Sequence, residues 1–107
     1  RWHDVYFITN RPGRDAKWQT EQWLILHLGI ERPTVLLAED KGLAARALKL
    51  DCYLDDYHKN VNQVAALSEH TRTYLLNASY NLNEKIDARV ERVNTVGEFF
   101  DAELVNL

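Results

Sequence analysis

The sequence has no methionine, one cysteine and two prolines in 107 residues. With Cys52 alone, no disulfide framework can form within the chain, and Cys52 reads as a small buried strand residue. Methionine is missing even at position 1, and a hydrophobic strand follows Arg1 almost at once. The expectation is an excised piece of a longer protein, or one whose start has been lost. No stretch reads as a signal peptide, a lipidation motif or a membrane span. This leads to the expectation of a cytoplasmic chain with no membrane partner. A strong basic excess is also lacking: the net charge is −3, without the footprint of a nucleic-acid binder. No repeat, linker or low-complexity segment divides residues 1–107, so one domain is expected.

What is present is an alternation of two periods. "VYFIT" (5–9) is short, β-branched and aromatic, and it runs into the turn signal "NRPG". Residues 15–28 favour helix, with Asp15 as N-cap and Gly29 as C-cap. After Pro33 comes "TVLLA" (34–38), a second strand, and then "KGLAARALKL" (41–50), a helix with Leu43, Ala44, Ala47 and Leu48 as its apolar side. "CYLDD" (52–56) is the third strand, and Val61, Val64, Ala65 and Leu67 mark the next helix. "TYLLN" (73–77) is the fourth strand, the asparagine-rich segment 78–90 a loop, and "ERV" (91–93) a short edge strand. Thr95 with Glu98 forms a capping box for a last helix carrying Val96, Phe99, Phe100 and Leu104. Strands alternating with helices predict an α/β fold, a Rossmann-like three-layer sandwich around a mostly parallel sheet.

In open parallel sheets, ligands bind outside the carboxyl ends of the strands. The residues there are Thr9, Asn10 and Arg11 after strand one, and Glu39, Asp40 and Lys41 after strand two. Asp55 and Asp56 follow strand three, and Asn77 and Ser79 follow strand four. Hard cations such as Mg2+ take carboxylates together with substrate phosphates and water. Arginine, lysine and threonine suit phosphate oxygens. The rim is equipped for a metal and a phosphate together. Each residue also has an ordinary reading. Paired aspartates after a strand serve turns and caps, Lys41 suits a solvated surface, and Arg11 before Pro12-Gly13 suits a turn. His3, His27, His58 and His70 lack zinc-ligand spacing and read as surface or structural residues.

A strand ending in threonine ("FITNRPG"), a lysine opening a helix, and a hydrophobic strand ending in Asp-Asp ("DCYLDD") resemble motifs II, III and IV of the haloacid dehalogenase superfamily. The run "EDKGLAARALKLDCYLDDYHKNV" most resembles its deoxyribonucleotidase-like phosphatases. The resemblance spans about residues 3 to 104 and implies roles for particular residues. Thr9 would bind the transferred phosphoryl group, with Asn10 and Arg11 adding phosphate or substrate contacts. Lys41 would neutralise phosphate and nucleophile, and Asp55 and Asp56 would be the acids that hold Mg2+. The implied partner is a small phosphorylated substrate such as a nucleotide.

The family's motif I, an Asp-x-Asp closing the central strand, is absent: the sequence contains no Asp-x-Asp. Asp4 precedes a strand instead of ending one. The resemblance therefore implies a sheet missing its motif I strand, completed by an upstream segment, a partner chain, a strand exchanged in a dimer, or direct pairing of strands one and three. The leading expectation is the C-terminal part of a Mg-dependent phosphohydrolase acting on a nucleotide or small phosphomonoester, inactive as this isolated chain. The alternative is a non-catalytic binding or assembly domain that keeps the fold. A receiver-like regulatory domain fits less well, because there the acid pair follows the first strand and the lysine follows the last.

Overall fold

Residues 6–9, 19, 22 and 34–105 are described in the computed structural model. The chain divides into two compact units, Arg1–Glu39 and Asp40–Leu107. In the first unit, β1 (Tyr6–Thr9) and β2 (Thr34–Leu37) pair in parallel, with Tyr6 opposite Thr34 and Thr9 opposite Leu37. Of the helix expected over 15–28, Gln19 and Gln22 are described, and both are helical. The remainder of that helix lies outside the described residues.

The second unit runs α1 (Lys41–Leu48), β3 (Cys52–Asp55), α2 (His58–Leu67), β4 (Arg72–Leu76), β5 (Glu91–Val93) and α3 (Val96–Leu104). Its sheet has the order β3-β4-β5, and both pairings are parallel. Parallel neighbours need a long crossover. Helix α2 supplies it between β3 and β4, and the loop over residues 77–90 supplies it between β4 and β5. The α/β architecture with parallel sheets is as the alternation of periods predicts. None of the strands carries an Asp-x-Asp.

Pleating sorts the side chains of this sheet onto two faces. Cys52, Leu54, Tyr74, Leu76 and Val93 pack with Phe99 and Ala102 of α3. Tyr53, Thr73 and Leu75 alternate with them and are buried on the other face, together with Val61, Val64 and Ala65 of α2. The unit is therefore three layers, helix on sheet on helix. Tyr74 and Phe99 meet edge to face, with centroids 5.0 Å apart, a geometry that favours aromatic pairs beyond the area they bury.

Two helices bury different faces from those the sequence suggests. In α1 the buried residues are Lys41, Gly42 and Ala45, while Leu43 and Ala47 are exposed. The cause is close approach to α2: a Cβ on Gly42 would lie 2.4 Å from the Gln63 carbonyl oxygen. Small residues win that contact over leucine. In α3 only Phe99 of the four apolar residues is buried, and Val96, Phe100 and Leu104 are exposed. Its inward face is completed by Ala102 and Glu103. The Glu103 carboxylate takes Arg72 Nε at 3.0 Å, Arg72 Nη2 at 2.6 Å and the Tyr74 hydroxyl at 2.6 Å. Cys52 is half-buried instead of fully buried. Burial and the adjacent Glu103 carboxylate push its thiol up to about 11.

Candidate functional site

Helix α1 begins where the chain turns back toward the start of β3, so it runs opposite to that strand. This puts Lys41, its first residue, at the end of the sheet where Asp55 closes β3. Asp40 caps the helix, its Oδ1 accepting from Leu43 N at 3.0 Å. Gln63 Oε1 accepts from the Lys41 backbone N–H at 3.4 Å. The Lys41 residue is only 4% exposed. Burial lowers its pKa from the ordinary lysine value, and the negative charges of Asp55 and then Asp40 oppose that shift. A lysine so deeply enclosed is uncommon unless acids face it.

The two aspartates differ sharply in what they hold. Asp55 Oδ1 accepts from the backbone N–H groups of Asp56 at 2.7 Å and Tyr57 at 3.1 Å. Asp55 Oδ2 accepts from the Tyr53 hydroxyl at 2.6 Å and Asn60 Nδ2 at 2.8 Å. Four donors use the in-plane lone pairs of both oxygens. The carboxylate folds the turn between β3 and α2 and ties it to both elements. Tyr53 is buried, and its hydroxyl is pushed well above the usual tyrosine range by burial and then by Asp55. It stays a donor at all ordinary pH values.

Asp56 is exposed, and its Oδ2 accepts from the Tyr80 hydroxyl. That bond raises the Tyr80 pKa above the ordinary value. The Asp56 backbone carbonyl accepts from Asn81 Nδ2 at 2.8 Å. Tyr80 and Asn81 belong to the loop over 77–90, which pattern reading passes over as polar linker. The structure ties it down at many points. Asn81 is fully buried, its Nδ2 also reaching Leu76 O at 2.9 Å and its Oδ1 accepting from Ala78 N at 3.0 Å. The Arg92 guanidinium bridges Asn77 Oδ1, Asn81 O and Glu84 O. Asn62 on α2 donates to Lys85 O and accepts from Asp87 N. His58 Nε2 lies 3.4 Å from Glu84. The sequence signal was a cluster of asparagines without apolar periodicity, which suits side chains that bind backbone.

Of the other site residues named from sequence, Thr9 closes β1. Its side chain, with all of Asn10 and Arg11, lies outside the described residues. Asn77 leaves the end of β4 and donates through Nδ2 to Asn94 Oδ1 at 2.9 Å. His70 is exposed and sits 3.0 Å from Asp51, at a distance in sequence from the aspartate pair.

The implied magnesium ion can be tested against these donors. Among the described residues, no group of three or more His, Cys, Asp and Glu side chains could hold a metal ion by itself. Asp55 does not fit as a ligand, because its oxygens are already engaged by four donors. Asp56 is the more open of the two: one oxygen accepts from Tyr80, and no described residue donates to Oδ1. One carboxylate with substrate phosphate and water is a normal Mg2+ set. No family model, no curated protein and no solved structure matches the chain.

Proposed function

We propose that the chain is the C-terminal part of a haloacid dehalogenase-like, Mg-dependent phosphohydrolase acting on a nucleotide or small phosphomonoester in a cytoplasmic setting, and that it is inactive as this isolated chain. The observation that carries this reading is the buried Lys41, facing Asp55 at the carboxyl end of a parallel sheet. A buried ammonium at that position is a point charge suited to phosphate oxygens. Asp55 keeps the local charge balanced and shapes the turn. Asp56 is the carboxylate on which Mg2+ would sit. The ion would supply charge neutralisation at a phosphoryl oxygen. Neither Lys41 nor Asp56 supplies the attacking carboxylate that the reaction also needs.

The test is a titration with inorganic phosphate in the presence of Mg2+, followed by amide shifts in two-dimensional NMR. The Lys41 and Gly42 signals should move in the native chain and stay still in Lys41→Met, which keeps the side-chain length without the charge. Equal shifts in both proteins would end the reading.

A second reading, a binding or assembly domain that keeps this fold without chemistry, is favoured by one observation. All four in-plane lone pairs of Asp55 are used within the fold. In that case phosphate moves neither protein's spectrum.

A further inference from the structure

Helix α3 leaves one of its sides uncovered. Val96, Phe100 and Leu104 recur every four residues and so share that side. Phe100 is 61% exposed and Leu104 63%. Glu98 and Asp101 on the same helix are exposed acids, and residues 94–107 contain no lysine, arginine or histidine. The other helical layer carries the converse. There the C-terminal ends of α1 and α2 form an open cleft of ≈ 560 Å³. Ala66 and Leu67 give it an apolar lining, and Arg46, Lys49 and His70 set three basic side chains against the single acid Glu69. Basic residues at helix C-termini ordinarily complement the helix dipole. That accounts for Arg46, but not for the exposed apolar lining beside it. Lys49 joins the cleft from a left-handed backbone position, φ 53°, where glycine is the ordinary residue.

We propose that these two surfaces bind each other between copies of this chain: the Val96, Phe100 and Leu104 side of α3 seats in the cleft of a second copy, with Glu98 and Asp101 toward Arg46 and Lys49. Within one unit, α3 covers one face of the sheet and α2, with α1 packed on it, the other. A unit therefore cannot fill its own cleft with its own α3. Charge selects this pairing over a two-fold pairing of α3 with α3. The two-fold pairing would cover the same apolar side, but it would set Glu98 and Asp101 against their own duplicates. Like charges across an interface are disfavoured and opposite ones favoured. Because the contact joins two different patches, it is head-to-tail. Each assembly keeps one unused α3 and one unused cleft, and it grows into rings or filaments instead of stopping at a dimer. One short helix makes a small interface, in the class of weak and transient contacts. Its ion pairs make it sensitive to salt. The Lys41 end of α1 takes no part, so the inference is independent of the phosphate reading.

Sedimentation velocity on the full chain is the test, at loadings from about 20 µM to about 1 mM, the range suited to a weak interface. The average mass should rise with concentration beyond two copies, and added salt should lower it. Phe100→Ser and Arg46→Glu, both exposed changes, should each weaken association about tenfold or more, as for an aromatic or arginine at the centre of a contact. An equimolar mixture of the two variants should then form a dimer and nothing larger. The intact cleft of Phe100→Ser takes the intact α3 of Arg46→Glu, and no further contact is possible. Phe100 also touches the Phe99 ring. If circular dichroism shows Phe100→Ser to be misfolded, Leu104→Ser replaces it. A native chain that keeps the mass of one copy throughout overturns the proposal. So does association that survives both substitutions. Loss in Phe100→Ser with Arg46→Glu associating like the native chain overturns it too, since copies would then pair through α3 without the cleft. A mixture that stays monomeric overturns the head-to-tail geometry and the proposal with it.

Discussion

Asp55 and Asp56 are adjacent and chemically identical, yet the fold uses them in opposite ways. Alternation along β3 turns the Asp55 side chain to the same face as Tyr53, toward α2, where donors wait on both sides. Asp56 comes after the strand has ended and points to solvent and to Tyr80. Nothing in the letters "DD" distinguishes them. The difference comes from Tyr53, two residues back on the same face, and from Asn60 in the first turn of α2. Asn81 is the other residue on which this end of the sheet depends. It is fully buried and makes three side-chain bonds to backbone. Replacing it with alanine leaves two carbonyls and one N–H to find water or go unpaired. The expected loss is about 2–4 kcal/mol of unfolding free energy, read from urea denaturation. Asn81→Asp should cost more than Asn81→Ala, because a carboxylate would face the carbonyls of Asp56 and Leu76. An Asn81→Ala protein as stable as the native one would mean that the loop is held elsewhere.

At the scale of elements, the contact between α1 and α2 depends on a missing side chain. Gly42→Ala would press a methyl group against the Gln63 backbone, which flexible side-chain motion cannot relieve. Overpacking of this kind costs about 1–3 kcal/mol, so the urea midpoint should fall; an unchanged midpoint would show that the helices can separate freely. Helix α3 is held by Glu103, whose pKa is lowered first by the Arg72 hydrogen bonds, with burial opposing and Tyr74 adding to the lowering. A depressed carboxylate pKa stabilises the fold above its unfolded value and loses that contribution as pH falls through the folded value. Acid should therefore destabilise the native chain more steeply than Glu103→Gln between about pH 5 and the lower folded value. Asp87 acts with the same sign through Arg89, so the difference between the two proteins isolates Glu103. Parallel slopes would remove Glu103 from the account. The strands were legible in the sequence because short β-branched runs such as "TVLL" and "CYLD" have few other uses. The buried faces of α1 and α3 were not. Periodicity ranks residues by hydrophobicity, whereas Gly42 and Ala45 are buried because two backbones come close, and Glu103 because it has Arg72 and Tyr74. The order of the loop was invisible for a similar reason: Asn62, Asn81 and Arg92 reach across long separations in sequence. That the charge of Asp55 acts on Lys41 suits the strand-end reading, but the four hydrogen bonds that engage Asp55 were not legible from the letters.

For the whole molecule, the decisive question is whether any carboxylate could attack a phosphoryl group. An attacking carboxylate needs an oxygen free of strong donors and aimed at the substrate. A proton donor must also stand by the leaving group. Among the described residues, the acids whose charge acts on Lys41 are Asp55 and Asp40, and Asp56 follows Asp55 directly in the chain. Asp40 caps α1 through Oδ1, Asp55 is engaged by four donors, and Asp56 is exposed and shared with Tyr80. Asp56 thus has one oxygen that could take a cation or attack, but a single oxygen cannot do both. His58, the histidine nearest in sequence to this turn, is turned toward Glu84. The net charge of −3 adds no general attraction for phosphate, so among the described residues binding would rest on Lys41 and a cation. The expected outcome is no release of nitrophenol from p-nitrophenyl phosphate, and no release of phosphate from nucleoside monophosphates, with Mg2+ present. Phosphate titration in the presence of Mg2+ should still succeed on the same preparation. Binding without turnover is what half of a phosphohydrolase site would give. Turnover that survives repurification and disappears in Asp56→Asn would mean that Asp56 attacks, and would end its proposed role as a metal ligand. Turnover that disappears only in Asp55→Asn would mean that its four donors release it when substrate arrives.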